Sequence, residues 1–245
     1  MNISIMQWNI WYKEDLTNVV SLLKQYNPDI ICLQELTLNP KADITDAPAF
    51  IAKQLGYYYY HKELPIESTD GSKIMLADGI FSRFPISKKD FAWINEPKGV
   101  GGYDDEYRAY VEVQLDINST HIAVGTTHMS YTHAFQPTSN KTAETDALIA
   151  RIGQHDSKFI FTGDLNATPD SYTIRSLDQL MKQVGPDIQV KTWTTKPFSY
   201  NGFEETELNW RLDYVFATQD MQVTSADIIR TDYSDHLPIL TTFSI

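Results

Sequence analysis

Six short polar segments of this 245-residue chain could together form a hydrolytic centre, because each lies where an apolar stretch begins or ends. The residues they contribute are Asn9, Glu35, His128, Asp164 with Asn166, Asp213, and Asp235 with His236. Carboxylate and amide oxygens suit a hard cation such as Mg²⁺ or Mn²⁺. Histidines beside them can transfer a proton or contact a phosphate near neutral pH. The set is therefore typical of phosphoryl transfer, in which positive charge offsets the phosphate oxygens and a water is positioned for attack.

Each segment alone has a simpler explanation. Asp235-His236 resembles an ordinary surface turn, Gly163-Asp164-Leu165-Asn166 could cap a helix, and Glu35 could cap the segment that follows it. Their joint occurrence at strand boundaries favours a shared site, because ligands of α/β proteins gather where strands end.

The elements that would position these segments alternate between strands and helices. The chain begins with a strand pattern over residues 3–7, a helical pattern over 16–23 and a continuous apolar run over 30–33. Further strands are predicted near residues 57–60, 74–81, 108–115, 121–127, 159–161, 212–217, 222–229 and 237–243, and further helices near 47–55 and 140–152. No Pro/Gly-rich linker interrupts this pattern, which predicts one α/β domain over residues 1–245 with mixed sheets.

Two local signals add detail to this plan. Thr168-Pro169-Asp170 has the order of an N-cap, a proline at the first helical position and an acid in the first turn, so a helix is predicted to begin there. Gly99, Gly101 and Gly102 indicate a turn or a loop over the site.

The charge balance argues against tight binding to duplex DNA. The chain has 20 basic and 32 acidic residues, a net charge of −12, and its densest basic spot is Lys88-Lys89. Nonspecific DNA binding requires clustered Lys and Arg, so we expect a small or locally held anionic phosphoester as the substrate. No stretch is long enough to span a bilayer, and the N-terminus lacks the features of a signal peptide, so the expected location is the cytoplasm. The single cysteine, Cys32, lies in an apolar run and is predicted to be buried and inert.

The ordered motifs resemble those of the endonuclease/exonuclease/phosphatase superfamily from residue 2 to the C-terminus. The matching segments are Trp8-Asn9-Ile10, Leu33-Gln34-Glu35, Ser82-Arg83-Phe84-Pro85-Ile86, Thr127-His128, Gly163-Asp164-Leu165-Asn166-Ala167-Thr168-Pro169, Arg211-Leu212-Asp213-Tyr214 and Ser234-Asp235-His236-Leu237-Pro238. The Asp-x-Asn and Ser-Asp-His motifs are the most specific. The resemblance implies a four-layer α/β sandwich, in which two packed mixed sheets are flanked by helices and the site lies where the sheets meet.

The resemblance also implies how the cation and the water would be held. Glu35 would be the principal ligand of Mg²⁺ or Mn²⁺, and Asn9 and Asp235 would be ligands directly or through water. Asp164 would orient or deprotonate the attacking water, and Asn166 would hold the phosphate.

The remaining implied roles concern charge on the phosphate. His236 would contact the phosphate or act as the base, and Asp213 would orient its ring. His128 would stabilise charge on the phosphate or the leaving oxygen. Arg108 lies where many members carry a phosphate-facing arginine.

Three functions compete. A metal-dependent hydrolase of phosphate esters or diesters leads. Thr192-Trp193-Thr194 and Asn209-Trp210-Arg211-Leu212-Asp213-Tyr214 resemble abasic-site DNA repair endonucleases, but Trp11 stands where those enzymes have Asp and His128 where they have Tyr. A histidine there is similar to deoxyribonucleases, sphingomyelinases, inositol-phosphate phosphatases and deadenylases. A catalytically inactive interaction protein is disfavoured, since every acid, amide and histidine that the resemblance implies is present except at the Trp11 position.

Aromatic residues crowd the segment before Asp213. They are Trp193, Phe198, Tyr200, Phe203 and Trp210. Two interpretations remain open: a wall on which a base or lipid head group stacks, with Trp210 contacting the substrate, or simple packing of a long loop.

Overall fold

Fourteen strands and four α-helices form the described part of the computed structural model, which comprises residues 1–39, 43–67, 73–99 and 105–245. Gly101 and Gly102 of the predicted turn lie outside these residues. In chain order the elements are β1 (Asn2–Asn9), α1 (Leu16–Tyr26), β2 (Ile30–Leu38), α2 (Ala47–Leu55), β3 (Tyr58–Glu67), β4 (Lys73–Ser82), β5 (Ile86–Asn95), β6 (Arg108–Ile117), β7 (Thr120–His128), α3 (Ser139–Ile152), β8 (Phe159–Asp164), α4 (Tyr172–Leu180), β9 (Lys182–Gln183), β10 (Phe198–Tyr200), β11 (Phe203–Glu205), β12 (Asp213–Ala217), β13 (Gln222–Ile228) and β14 (Ile239–Ser244).

Twelve of the described strands form two six-stranded sheets. The first has the order β13-β14-β1-β2-β4-β3 and the second the order β5-β6-β7-β8-β12-β9, while β10 and β11 form a separate hairpin. Both sheets are mixed, because β1 is parallel to β2 and β7 is parallel to β8 whereas the other pairs are antiparallel. Parallel neighbours end at the same edge, which brings the ends of β1 and β2, and of β7 and β8, together.

Alternation along β1 shows how the layers are built. Ile3 and Ile5 pack in the core between the two sheets, whereas Met6 and Trp8 face the outer core beneath α1 and α2. Helices α3 and α4 cover the other face of the second sheet in the same way. Each such buried side chain contributes about 1.5–3 kcal/mol. The order helix, sheet, sheet, helix confirms the predicted four-layer α/β sandwich.

Cys32 is fully buried in the core between the sheets, as predicted. Among the helices of the described residues, none has the length and apolar character needed to cross a membrane.

One prediction about local structure is wrong, and one strand lies outside the predictions. Helix α4 begins at Tyr172 with Ser171 as its N-cap, so Thr168-Pro169-Asp170 forms a turn ahead of it instead of the helix start. The Ser171 side chain accepts from Ile174 N at 3.2 Å and takes the capping role. Strand β5 was not predicted at all, because this edge strand has the exposed polar run Ser87-Lys88-Lys89 in place of an apolar alternation.

Candidate active site

The predicted site residues converge at one end of the seam between the two sheets. The first sheet contributes Asn9 at the end of β1, Glu35 within β2, and Asp235 and His236 just before β14. The second sheet contributes His128 and Asp164 at the ends of β7 and β8, Asp213 at the start of β12, and Asn166 just beyond β8. Residues that are far apart in sequence therefore meet because their strands begin or end at the same edge.

Asp164 lies at the centre of this group. Its Oδ2 accepts from Asn9 Nδ2 at 3.0 Å and lies 3.5 Å from both His128 Nε2 and His236 Nε2. Burial raises the pKa of Asp164 to about 7, although the charge of His236 opposes the rise. Gly163 allows this placement, because a Cβ atom there would lie 2.5 Å from the carbonyl oxygen of Thr127 on the neighbouring strand.

His236 is held by a buried carboxylate. Its Nδ1 lies 2.9 Å from Asp213 Oδ2, and both side chains are almost completely buried. Burial disfavours the charged imidazolium, but the carboxylates of Asp213 and Asp164, followed by Asp235, outweigh burial and hold the pKa of His236 well above its usual value. The ring is therefore charged near neutral pH.

The Ser-Asp-His turn is fixed by bonds to the first strand. Ser234 Oγ donates to the carbonyl of Asn9 at 2.7 Å and accepts from His236 N at 3.0 Å. Trp8 Nε1 donates to the carbonyl of His236 at 3.0 Å. Trp193 Nε1 donates to Asp235 Oδ2 at 3.2 Å, which orients that carboxylate. The motif residues Ser234 and Trp8 therefore hold the turn that carries Asp235 and His236.

Glu35 projects from a β-bulge. The register between β2 and β4 shifts between Leu33 and Leu36, and Glu35 has φ of 61°. A left-handed conformation in a residue other than glycine costs about 1–3 kcal/mol and is found at functional sites. The Glu35 carboxylate accepts from Asn9 Nδ2 at 3.0 Å and from Tyr12 N at 3.1 Å. Burial and the charge of Asp235 raise the pKa of Glu35 in spite of these bonds.

His128 differs from His236 in its charge state. Burial and the positive charges of Arg108, His236 and Lys141 hold the pKa of His128 well below its usual value, so its ring is neutral. Its Nε2 lies 3.1 Å from Asn166 Nδ2, which also donates to the carbonyl of Met129 at 2.9 Å. The two histidines therefore offer different chemistry within one site.

The two predicted substrate-binding residues are held by protein partners. Arg108 is buried, its Nη2 pairs with Glu106, and its Nε and Nη1 have no hydrogen-bond partner among the described residues. Trp210 Nε1 donates to Glu205 Oε2 at 2.7 Å, and its ring lies 4.7 Å from that of Phe135.

The aromatic residues before Asp213 pack as a cluster. The cluster comprises Phe135, Trp193 and Leu212, with Tyr131, Phe198, Phe203 and Trp210 around them. The centre of the Trp193 ring lies 6.2 Å from that of the His236 ring, so the cluster adjoins the predicted site residues. Packing of the loop is thus observed, and a stacking role for its outer rings stays a prediction.

Comparison with known proteins identifies the family of this chain. Residues 6–236 match the family model for the endonuclease/exonuclease/phosphatase family. The chain belongs to that family. Members of the endonuclease/exonuclease/phosphatase family are hydrolytic phosphoesterases that generally depend on a divalent metal ion. No curated protein sequence matches this chain.

Solved structures of family members share the fold. An endonuclease/exonuclease/phosphatase from Beutenbergia cavernae has a TM-score of 0.77 and 19% identity over 99% of this chain and 71% of that one. The mannosyl-6-phosphatase of Bacteroides thetaiotaomicron has 0.69 and 14%, with 99% and 100% covered. The catalytic domain of human Nocturnin with bound sulfate has 0.71 and 18%, with 99% and 93% covered. At these identities the likeness extends to the fold alone.

The donor atoms near Glu35 fit the divalent cation on which the family generally depends. Asp235 is close enough for its charge to raise the pKa of Glu35. The hydrogen-bond partners of the Glu35 carboxylate among the described residues are an amide and a backbone N–H, neither of which carries a charge. Two carboxylates whose hydrogen-bond partners among the described residues are uncharged suit an oxygen-loving cation.

Two features qualify the predicted ligand set. Asn9 presents its amide nitrogen to Glu35 and Asp164, while its Oδ1 accepts from Trp11 N at 3.0 Å. Ligand atoms of Asp164, Asp213 and His236 also lie within 4.8 Å of one another. A charged His236 repels a cation, so this second group is better suited to holding protons than to holding a metal ion.

Sequence reasoning missed two buried ionisable residues beside the site. Asp78, in β4, accepts from His128 N at 3.1 Å, and burial raises its pKa to about 8. Lys141, in α3, is 7% exposed. A signal for Lys141 was present, because it falls on the same helical face as Thr145, Leu148 and Ile152.

Proposed function

We propose that the chain is a divalent-metal-dependent hydrolase of a phosphate ester or phosphodiester, with residues 1–245 forming one catalytic domain. The observation that carries the proposal is the meeting of Asn9, His128 and His236 around Asp164 Oδ2. A carboxylate surrounded by one neutral and one charged histidine combines a proton acceptor with a donor to an anion.

Glu35 and Asp235 would hold Mg²⁺ or Mn²⁺, with Asn9 as a further ligand directly or through water. The ion would supply positive charge to the phosphate oxygens. Asp164 orients the attacking water and accepts its proton, a role favoured by a pKa of about 7. Asn166 holds the phosphate.

The two histidines have different roles in this proposal. His236, charged because of Asp213, donates to a phosphate oxygen instead of acting as the base. His128, kept neutral, contacts the phosphate or the leaving oxygen. Arg108, whose charge also lowers the pKa of His128, contributes positive charge to the site. Its Nε and Nη1, which have no hydrogen-bond partner among the described residues, are the atoms that would face a phosphate.

The substrate we propose is a small or exposed phosphoester. The net charge of −12 disfavours intact duplex DNA. Trp210, at the edge of the aromatic cluster beside Asp235, would contact the group attached to the phosphate. Abasic-site endonuclease activity is the second candidate, because Thr192-Trp193-Thr194 and the segment 209–214 resemble those enzymes and Trp193 and Trp210 lie together in this cluster.

A substrate panel tests the proposal. Bis(p-nitrophenyl) phosphate, p-nitrophenyl phosphate, single-stranded RNA and abasic duplex DNA are each incubated with Mg²⁺, Mn²⁺ or excess chelator. We expect turnover of a small phosphoester that chelation abolishes and added metal restores. Full activity in excess chelator would falsify the mechanism, and abasic duplex cleaved faster than every small phosphoester would reverse the ranking of the two candidates.

A further inference from the structure

A buried lysine joins the two turns that carry most of the second sheet's site residues. Lys141 lies in the first turn of α3, and its Nζ donates to the carbonyl of Ser130 at 2.8 Å and to that of Leu165 at 2.6 Å. Ser130 lies two residues after His128, and Leu165 lies between Asp164 and Asn166. One ammonium group thus links the ends of β7 and β8 just beyond their last residues.

Burying this ammonium is unfavourable unless its bonds compensate. Removing an ion from water costs several kcal/mol in practice, and burial lowers the pKa of Lys141 to about 8 although Glu144 and Asp164 oppose the fall. The other buried residues on this face of α3 include Leu148 and Ile152, so an apolar side chain would suit the position for packing alone. A charged residue there indicates a requirement beyond packing.

The requirement is visible in the contacts of Asn166. Its Nδ2 donates to the carbonyl of Met129 and lies 3.1 Å from His128 Nε2, so the spacing of the two turns is also the spacing of Asn166 and His128. Asn166 has φ of 44°, which lies in the left-handed region that asparagine adopts more readily than most residues. Glu144 adds a second tie from the same helix, because its Oε1 accepts from Ser130 N at 2.9 Å.

We propose that Lys141 is a positioning residue, which sets the distance between the turn after His128 and the turn after Asp164 and thereby aligns Asn166 and His128 on the phosphate. This inference rests on the proposed function. Lys141 touches no reacting atom in this scheme. Its effect should fall on kcat, because a misplacement of about 1 Å at a reacting centre can cost about 100-fold in rate, and loss of outer supporting contacts typically costs about 10–100-fold.

The test is Lys141→Met, which keeps most of the length of the side chain and removes the ammonium group that donates both bonds. The matched control is Lys24→Met, in which the exposed Lys24 of α1 loses only a bond to Gln54 Oε1 at 3.1 Å. Kinetics are measured on bis(p-nitrophenyl) phosphate with saturating Mn²⁺, below the Tm of each variant, with near-UV circular dichroism to verify the fold. We expect kcat to fall about 10–100-fold in Lys141→Met, with KM changed by less than about threefold. The control should match the parent.

The outcomes separate the two proposals. A parent protein that is inactive on every phosphoester overturns the proposed function and this inference with it. An active parent together with a folded Lys141→Met variant of unchanged kcat overturns the positioning role alone, as does a loss that only tracks the unfolded fraction. If Lys141→Met does not fold, Lys141→Gln is judged by the same criteria, because its shorter amide reaches at most one of the two carbonyls.

Discussion

Replacing Asp213 by Asn removes a charge from the site and preserves the volume of the side chain. Asp213 Oδ2 lies 2.9 Å from His236 Nδ1, and both side chains are buried. Two charges about 4 Å apart interact by about 4 kcal/mol at an effective dielectric constant of about 20. At about 1.4 kcal/mol per tenfold change in rate, the loss of this interaction predicts a fall in kcat of roughly 10³-fold. This value lies within the range of about 10²–10⁴ for a positioned acid or base.

The loss should appear in the rate far more than in stability. Without the Asp213 charge, burial favours the neutral ring of His236, which is a weaker donor to an anion. The amide introduced by Asp213→Asn would also present a donor or an acceptor to Nδ1 and so weaken control of the tautomer. Steady-state kinetics on a chromogenic phosphodiester measure kcat, and calorimetry measures Tm.

A double-mutant cycle decides whether the two residues act as a unit. His236→Ala should cost about as much as Asp213→Asn, and the double variant should be little worse than either single one. Losses that multiply would mean that the residues act independently, and the reasoning from their 2.9 Å contact would then be refuted.

Three further predictions concern other parts of the molecule. Glu35→Gln should weaken Mn²⁺ binding by at least about 10-fold with little change in fold, since removing even an outer partner of a metal ligand typically costs about 10–100-fold, and equal affinities by isothermal titration calorimetry would exclude Glu35 as a ligand. Cys32, whose pKa burial raises to about 12, should resist iodoacetamide in the native protein and react after denaturation, as mass spectrometry would show. Although burial opposes it, bonds from His155 and Tyr110 lower the pKa of Glu112 below 4.5. This contribution to the free energy of unfolding is present above pH 4.5 and is lost as the pH falls through the folded-state pKa. In urea titrations at a series of acidic pH values, the free energy of unfolding of Glu112→Gln should therefore fall less steeply with decreasing pH than that of the parent. An equally steep fall in the two proteins would contradict this.

The parts of the fold that could be predicted are those in which side-chain pattern and burial coincide. The apolar run of β8, which is covered on both faces, predicts that strand directly, whereas β1 is predicted by the alternation of Ile3 and Ile5 with Ser4 and Met6. Asn9 and Asp164 stand out because each is a polar residue at the end of its strand. α3 was placed almost to the residue by its apolar spacing. Chemistry at strand ends is visible in a sequence when the strand itself is apolar.

The parts that could not be predicted depend on tertiary contacts. β5 lies at the edge of the second sheet and its first residues are exposed, so its sequence lacks the apolar alternation that would predict a strand. The start of α4 is decided by competition between two capping residues, and Ser171 prevails over Thr168 because its side chain reaches the free N–H of Ile174. Lys141 and Asp78 are buried ionisable residues, and their hydrogen bonds join them to backbone groups that no motif specifies.

The distances within the site are a property of how the sheets pack. Asn9 Nδ2 reaches Asp164 Oδ2 at 3.0 Å across 155 residues of sequence, and Gln34 Nε2 reaches Thr126 Oγ1 at 2.9 Å across 92. Both bonds cross from the first sheet to the second, above an apolar core that fixes how closely the sheets approach. Apolar contacts tolerate sliding, whereas a buried hydrogen bond left unmade costs about 1–3 kcal/mol. The polar bridges therefore fix the register of one sheet on the other, and with it the position of the Glu35 carboxylate relative to Asp164.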